Sequence, residues 1–146
     1  MIGVGNRYRR DDGVGPRAID RLSSGAARAY DAVEESGEAA SLVERWSGRS
    51  LVVLVDAVRS GAPAGTVNRA EIAQAPPPPA RPPASGHSLG VADAIRLASV
   101  LGRLPERLIV LTVEVADVDH GTELSAEGRR ALERVVAAVR AELSAA

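Results

Sequence analysis

The 146-residue sequence contains no cysteine, no lysine and no phenylalanine. Without cysteine there is no thiol nucleophile, no thiolate metal site and no disulfide framework, which suits a reducing compartment. All 18 basic residues are arginine, so Schiff-base chemistry and the phosphate-gripping lysine of a P-loop are both excluded. The only aromatic residues are Tyr8, Tyr30 and Trp46, too few to stack on a series of bases. The net charge of −1 gives no broad basic face, and nucleic acid is not an expected partner. No apolar run is long enough to span a bilayer. No signal-peptide pattern opens the sequence, because a Gly-Asn turn and several arginines fall within the first ten residues. The expected location is the cytoplasm.

What is present suits one domain over residues 1–146, with a core built from Val, Leu, Ile and Ala. Met1–Val4 reads as a short buried strand ending in the turn residues Gly5 and Asn6. Val14–Leu22 has helical apolar spacing, with Pro16 in its first turn. Ala27–Val33 alternates weakly and predicts a second strand, and Ala39–Trp46 predicts a helix. Ser50–Asp56 is a continuous apolar run closed by an aspartate, as expected of a parallel strand covered on both faces. Thr66–Ile72 predicts an edge strand. The proline-rich stretch at 75–84 favours polyproline II and reads as a stiff surface loop, a spacer rather than an SH3-type ligand. Ser88–Leu101 predicts a helix, Arg107–Val115 a buried strand and Ser125–Leu143 a helix capped by Ser125. The order β-α-β-α-β-β-α-β-α implies an α/β fold of three layers: an open, mostly parallel twisted sheet of about five strands with helices on both faces.

Sites in such sheets form beyond the carboxyl ends of the strands. The first strand delivers Asn6, Asp11 and Asp12 there, the third delivers Asp56, and the loop before the third helix delivers Ser85, Gly86 and His87. Two carboxylates and an imidazole form a ligand set for a divalent transition metal. Taken singly, each has an ordinary reading: Asp12 as a helix cap, Asp56 as a turn residue, His87 as a cap or loop histidine. The arginines Arg7, Arg9 and Arg10 read as a solvated loop rather than a contact for an acidic surface. Gly86-His87-Ser88-Leu89-Gly90 also fits a Gly-x-Ser-x-Gly elbow, and Asp117, Asp119 and His120 supply Ser–Asp–His order. A serine esterase is therefore the second enzymatic reading, opposed by the proline run standing where the elbow needs a buried strand. A dinucleotide site is not expected, since Tyr8 stands where a third glycine would fall.

Gly3-Val4-Gly5-Asn6 with Asp11-Asp12-Gly13-Val14-Gly15, Val55-Asp56-Ala57-Val58-Arg59-Ser60-Gly61, Ser85-Gly86-His87-Ser88-Leu89-Gly90 and Thr122-Glu123-Leu124-Ser125 resemble, in order, the conserved blocks of the hydrogenase maturation proteases. The resemblance implies an endopeptidase that removes a C-terminal extension from the large-subunit precursor of a nickel-iron hydrogenase after nickel insertion. It implies that Asp12, Asp56 and His87 contact the metal and form the catalytic site. The nickel would be the substrate's own rather than a permanent cofactor. It would polarise the scissile carbonyl or activate a water, with Asp12 or Asp56 as the alternative general base. Asn6 and the Gly-rich turn would shape the pocket. Two departures stand out: Val33-Glu34-Glu35-Ser36-Gly37-Glu38 keeps acid but lacks the family's Gly-Gly-Thr-like stretch, and the proline-rich loop is unusual. A non-catalytic nickel-checking assembly factor is the third reading.

Overall fold

The computed structural model describes residues 1–24, 30–72 and 88–146. In chain order the elements are β1 (Ile2–Val4), α1 (Val14–Ser23), β2 (Val33–Glu35), α2 (Ala39–Trp46), β3 (Leu51–Val58), β4 (Val67–Ile72), α3 (Ser88–Leu101), β5 (Arg107–Glu114) and α4 (Ala126–Ser144). A 3-10 turn, Arg10–Gly13, leads into α1. The strands form one sheet in the order β2-β1-β3-β5-β4. β1, β2, β3 and β5 run parallel, and β4 lies antiparallel at the edge. This is the α/β architecture that the order of elements implies.

Alternation along the strands sorts their side chains into two layers. Val53, Val55, Ala57, Ile109, Leu111 and Val113 pack with α1 and α4. Val52, Leu54, Leu108 and Val110 pack with α2 and α3, where Leu42 and Trp46 are fully buried. β3 is buried on both faces because its parallel neighbours β1 and β5 flank it and helices cover both sides. The connections leave β1 toward β2 on one side and toward β3 on the other, so the topological switch point lies between β1 and β3. A crevice is expected beyond their carboxyl ends.

Glycines set how closely α1 approaches that point. A Cβ on Gly15 would lie 2.4 Å from the Val4 carbonyl oxygen and 2.8 Å from that of Val55. A Cβ on Gly3 would lie 2.5 Å from the Gly15 carbonyl oxygen. These neighbours are backbone and cannot swing aside. Gly15→Ala is expected to cost about 2–3 kcal/mol, as overpacking does, read as a fall in the urea midpoint at unchanged slope.

Two expectations need correction. The second strand is Val33–Glu35, not Ala27–Val33. Its position follows from β1: Ile2, Gly3 and Val4 register with Val33, Glu34 and Glu35, and the Val33 N–H donates to the Met1 carbonyl. The weak alternation upstream rested on alanines and one tyrosine. Of that stretch, 27–29 lie outside the described residues, as does the proline-rich loop at 75–84. The third strand also continues past Asp56 to Val58, placing Asp56 within the strand rather than at its end.

Candidate active site

The loop after β1 turns back on itself through its own backbone. Arg9 N–H donates to the Asn6 carbonyl (3.1 Å) and Asp12 N–H to that of Arg9 (3.0 Å). The Asn6 side chain accepts the Tyr8 N–H at 2.9 Å, a local turn typical of asparagine. The Asn6 N–H donates to Asp12 Oδ2 at 3.0 Å. Gly5 has φ of +138°, and a Cβ there would sit 1.9 Å from the Asp12 carbonyl oxygen. The Gly-Asn turn therefore lets the chain pass close beside Asp12 and supplies it a hydrogen-bond donor.

The neighbouring aspartates do different work. Asp11 accepts the Ser125 N–H at 2.7 Å and its hydroxyl at 2.6 Å. Ser125 Oγ in turn accepts the Gly128 N–H in the first turn of α4. A Cβ on Gly128 would fall 2.3 Å from Asp11 Oδ1. Asp11 is thus bound to the start of α4, and its charge suits a helix N-terminus. Asp12 is equally buried, at 2% exposure, but is oriented by Asn6 instead.

Asp56 lies on β3 in register with Thr112 and is also 2% exposed. By alternation it shares the face of Val52 and Leu54, the side covered by α2 and α3. Its pKa is pushed up to about 8, first by burial and then by the negative charge of Asp12, against a smaller opposite effect of the Ala57 N–H. A carboxyl in this state holds a proton near neutrality and can act as acid or base. Two buried carboxylates that repel one another are also a place where an approaching cation is stabilised. Beside Asp12 opens a cleft of about 460 Å³, between the Gly5–Arg9 loop and Glu34–Ser36. Tyr8, 70% exposed, stands on its wall.

Asp12 and Asp56 are therefore brought together. His87 lies outside the described residues. Helix α3 begins at the next residue, and a Cβ on Gly90 in its first turn would lie 1.9 Å from the Gly37 carbonyl oxygen. That contact sets the start of α3 against the loop following β2, at the carboxyl ends of the strands. Among the described residues, no three His, Cys, Asp or Glu side chains group as metal ligands.

The basic and acidic residues around the cleft hold the fold. Arg7 pairs with Asp20 at 2.6 Å and with Glu34. Arg10, at a left-handed φ of +44°, pairs with Asp117 at 2.8 Å, and Arg9 Nε donates to the Val118 carbonyl. These arginines are internal ties rather than a solvated loop. Glu35 accepts from Ser41 and Arg45, and Glu38 caps α2 through the Ala40 and Ser41 N–H groups. The acid of the Val33–Glu38 segment is thus engaged in structure. For the esterase constellation, Asp117 is taken by Arg10 and His120 is exposed. Sequence reasoning did not single out Glu114, which is 3% exposed. It accepts from the Ser60 N–H, the Ser60 hydroxyl and the Gly61 N–H at 2.8, 2.7 and 3.0 Å, fixing the loop after β3. The available signal was a carboxylate ending an apolar strand.

The family model described as hydrogenase maturation protease matches residues 30–142. The chain belongs to the hydrogenase maturation protease family. It is similar to the hydrogenase expression/formation protein HupD of Thiocapsa roseopersicina, 28% identical over 121 residues, 82% of this chain and 55% of that protein. The chain thus spans about half the length of this curated relative. The hydrogenase maturating endopeptidase HybD from E. coli shares the fold at a TM-score of 0.73 and 22% identity, covering 97% of this chain and 91% of that one. The hydrogenase 2 maturation peptidase from a Thaumarchaeota archaeon matches at a TM-score of 0.71 and 25% identity, over 97% and 95% of the two chains. Solved structures with this fold thus carry the names of endopeptidases and maturation peptidases.

Proposed function

We propose that this member of the family is an endopeptidase that removes the C-terminal extension of a [NiFe]-hydrogenase large-subunit precursor in the cytoplasm, after nickel has been inserted. The observation that carries this is the buried, mutually repelling pair Asp12 and Asp56 at the switch point between β1 and β3. His87 is assigned as the third member. The start of α3 against Gly37 supports this, because the helix following His87 opens at the same end of the sheet. The precursor's own nickel is read as part of the substrate. The carboxylates and the imidazole would contact it and position the scissile bond beside it. The metal would polarise the carbonyl or acidify a water, while Asp12, or Asp56 once its own proton has left, takes up the proton released on attack.

The test is incubation with purified precursor, nickel-loaded and nickel-free, with the products weighed by mass spectrometry. The loaded precursor is expected to lose its extension and the nickel-free precursor to stay intact. His87→Ala is expected to slow cleavage about 10²–10⁴-fold, the usual worth of a positioned acid–base group. Binding of the loaded precursor without cleavage would instead favour a nickel-checking assembly factor.

A further inference from the structure

A second cavity, of about 490 Å³, lies between α1 and α4 and is closed at one end by the Thr122–Leu124 segment. Leu124 and Leu132, both buried, line it together with Arg17 and Arg129. Of the other charged groups around it, Arg21 pairs with Glu133, Asp20 with Arg7 and Arg130 with Glu127. Glu123 is exposed. Arg17 and Arg129 lie close enough for their charge to be felt by Asp20 and Glu127 respectively, but neither makes an ion pair with them. Among the described residues they donate only to backbone: Arg17 Nη2 to the Thr122 carbonyl, Arg129 Nη1 to the Leu124 carbonyl at 2.7 Å. Arg17 Nε is buried with no hydrogen-bond partner. A carboxylate in the groove would meet the outer nitrogens of the guanidinium groups rather than this shielded Nε, and it is the acceptor that matches a guanidinium best.

The cavity also adjoins the catalytic cleft. Asp20 lines the groove, Arg7 lines the cleft beside Asp12, and the two are bonded to each other. One ion pair therefore forms the wall between them.

We propose that the α1–α4 groove is a docking subsite for an acidic, partly apolar peptide segment of the substrate protein. A carboxylate of that segment meets Arg17 and Arg129, and an adjacent apolar side chain rests on Leu124 and Leu132. The peptide then crosses the Arg7–Asp20 pair into the cleft at Asp12. This rests on the peptidase reading for the substrate's identity, but the groove's chemistry stands apart from the cutting step.

The test uses the full chain and nickel-loaded precursor, with cleavage kinetics and calorimetric binding measured in parallel. Arg17→Gln and Arg129→Gln are each expected to raise KM and Kd about tenfold, the worth of one charged hydrogen bond, with kcat within about twofold of the wild type. Added salt should weaken wild-type binding more than variant binding. Arg129 is exposed, so its replacement leaves the fold intact whatever happens at Arg17. Unchanged KM and Kd in both variants would overturn the proposal while leaving the peptidase reading standing. Binding without cleavage by the wild type, with affinity still lost in the variants, would keep the groove and remove the peptidase.

Discussion

Asp56→Asn is expected to abolish precursor processing and, at the same time, to stabilise the fold above neutral pH. The carboxyl of Asp56 titrates at about 8 in the folded chain against an ordinary value of 3.8. Between those values the unfolded chain has released the proton and the folded chain still holds it. The folded state therefore binds more protons, and stability falls as pH rises through the window from about 4 to about 8. Below that window the group contributes no difference; above it the whole penalty is present. At about 1.36 kcal/mol per pH unit, the penalty amounts to at most about 6 kcal/mol. Asparagine fills the same space without a titrating proton, so the variant should lose this part of the pH dependence. Urea midpoints from pH 4 to 9 would show the wild type declining relative to the variant, and parallel curves would contradict the raised pKa. Processing should fall by about 10²–10⁴-fold, because the amide can neither take up nor release the proton. A variant that gained stability and still trimmed the precursor would take Asp56 out of the chemistry.

The parts of the fold legible in the sequence were those whose pattern is carried by many residues. β3 and β5 showed as apolar runs because they are flanked and covered on both faces. α1 and α4 showed through helical spacing, and α4 also through its Ser125 cap. β2 was misplaced because three edge residues, two half-buried and one exposed, carry almost no periodic signal, and its register is set by β1 rather than by its own composition. The approach of Asp12 to Asp56 was readable from topology, since one follows β1 and the other lies near the carboxyl end of β3, the two strands that flank the switch point. The roles of Arg7 and Arg10 were not readable. Their partners Asp20, Glu34 and Asp117 lie 13, 27 and 107 residues away, and no local pattern encodes such pairings. The division of labour within Asp11-Asp12 was likewise hidden. It depends on the left-handed Arg10 and on the Asp11 N–H reaching the Asp117 carbonyl.

That division gives the second large effect. Asp11→Ala is expected to destabilise the chain by about 3–4 kcal/mol, although Asp11 does not line the cleft beside Asp12. It would leave two donors, the Ser125 N–H and hydroxyl, without their acceptor, at about 1–3 kcal/mol for each group left unsatisfied. It would also remove a negative charge from the start of α4, worth about 0.3–1 kcal/mol, and leave space beside Gly128. Water reaching Ser125 would recover part of this, which holds the total below the simple sum. Asp12→Ala should behave in the opposite sense. It removes the acceptor of the Asn6 N–H but relieves the repulsion that burdens Asp56, so its cost in stability should be smaller than that of Asp11→Ala while processing is lost. Urea midpoints and the mass-spectrometric cleavage assay on both variants separate the two roles. If Asp12→Ala unfolded readily and still-folded Asp11→Ala failed to process, the assignments of the two carboxylates would have to be exchanged.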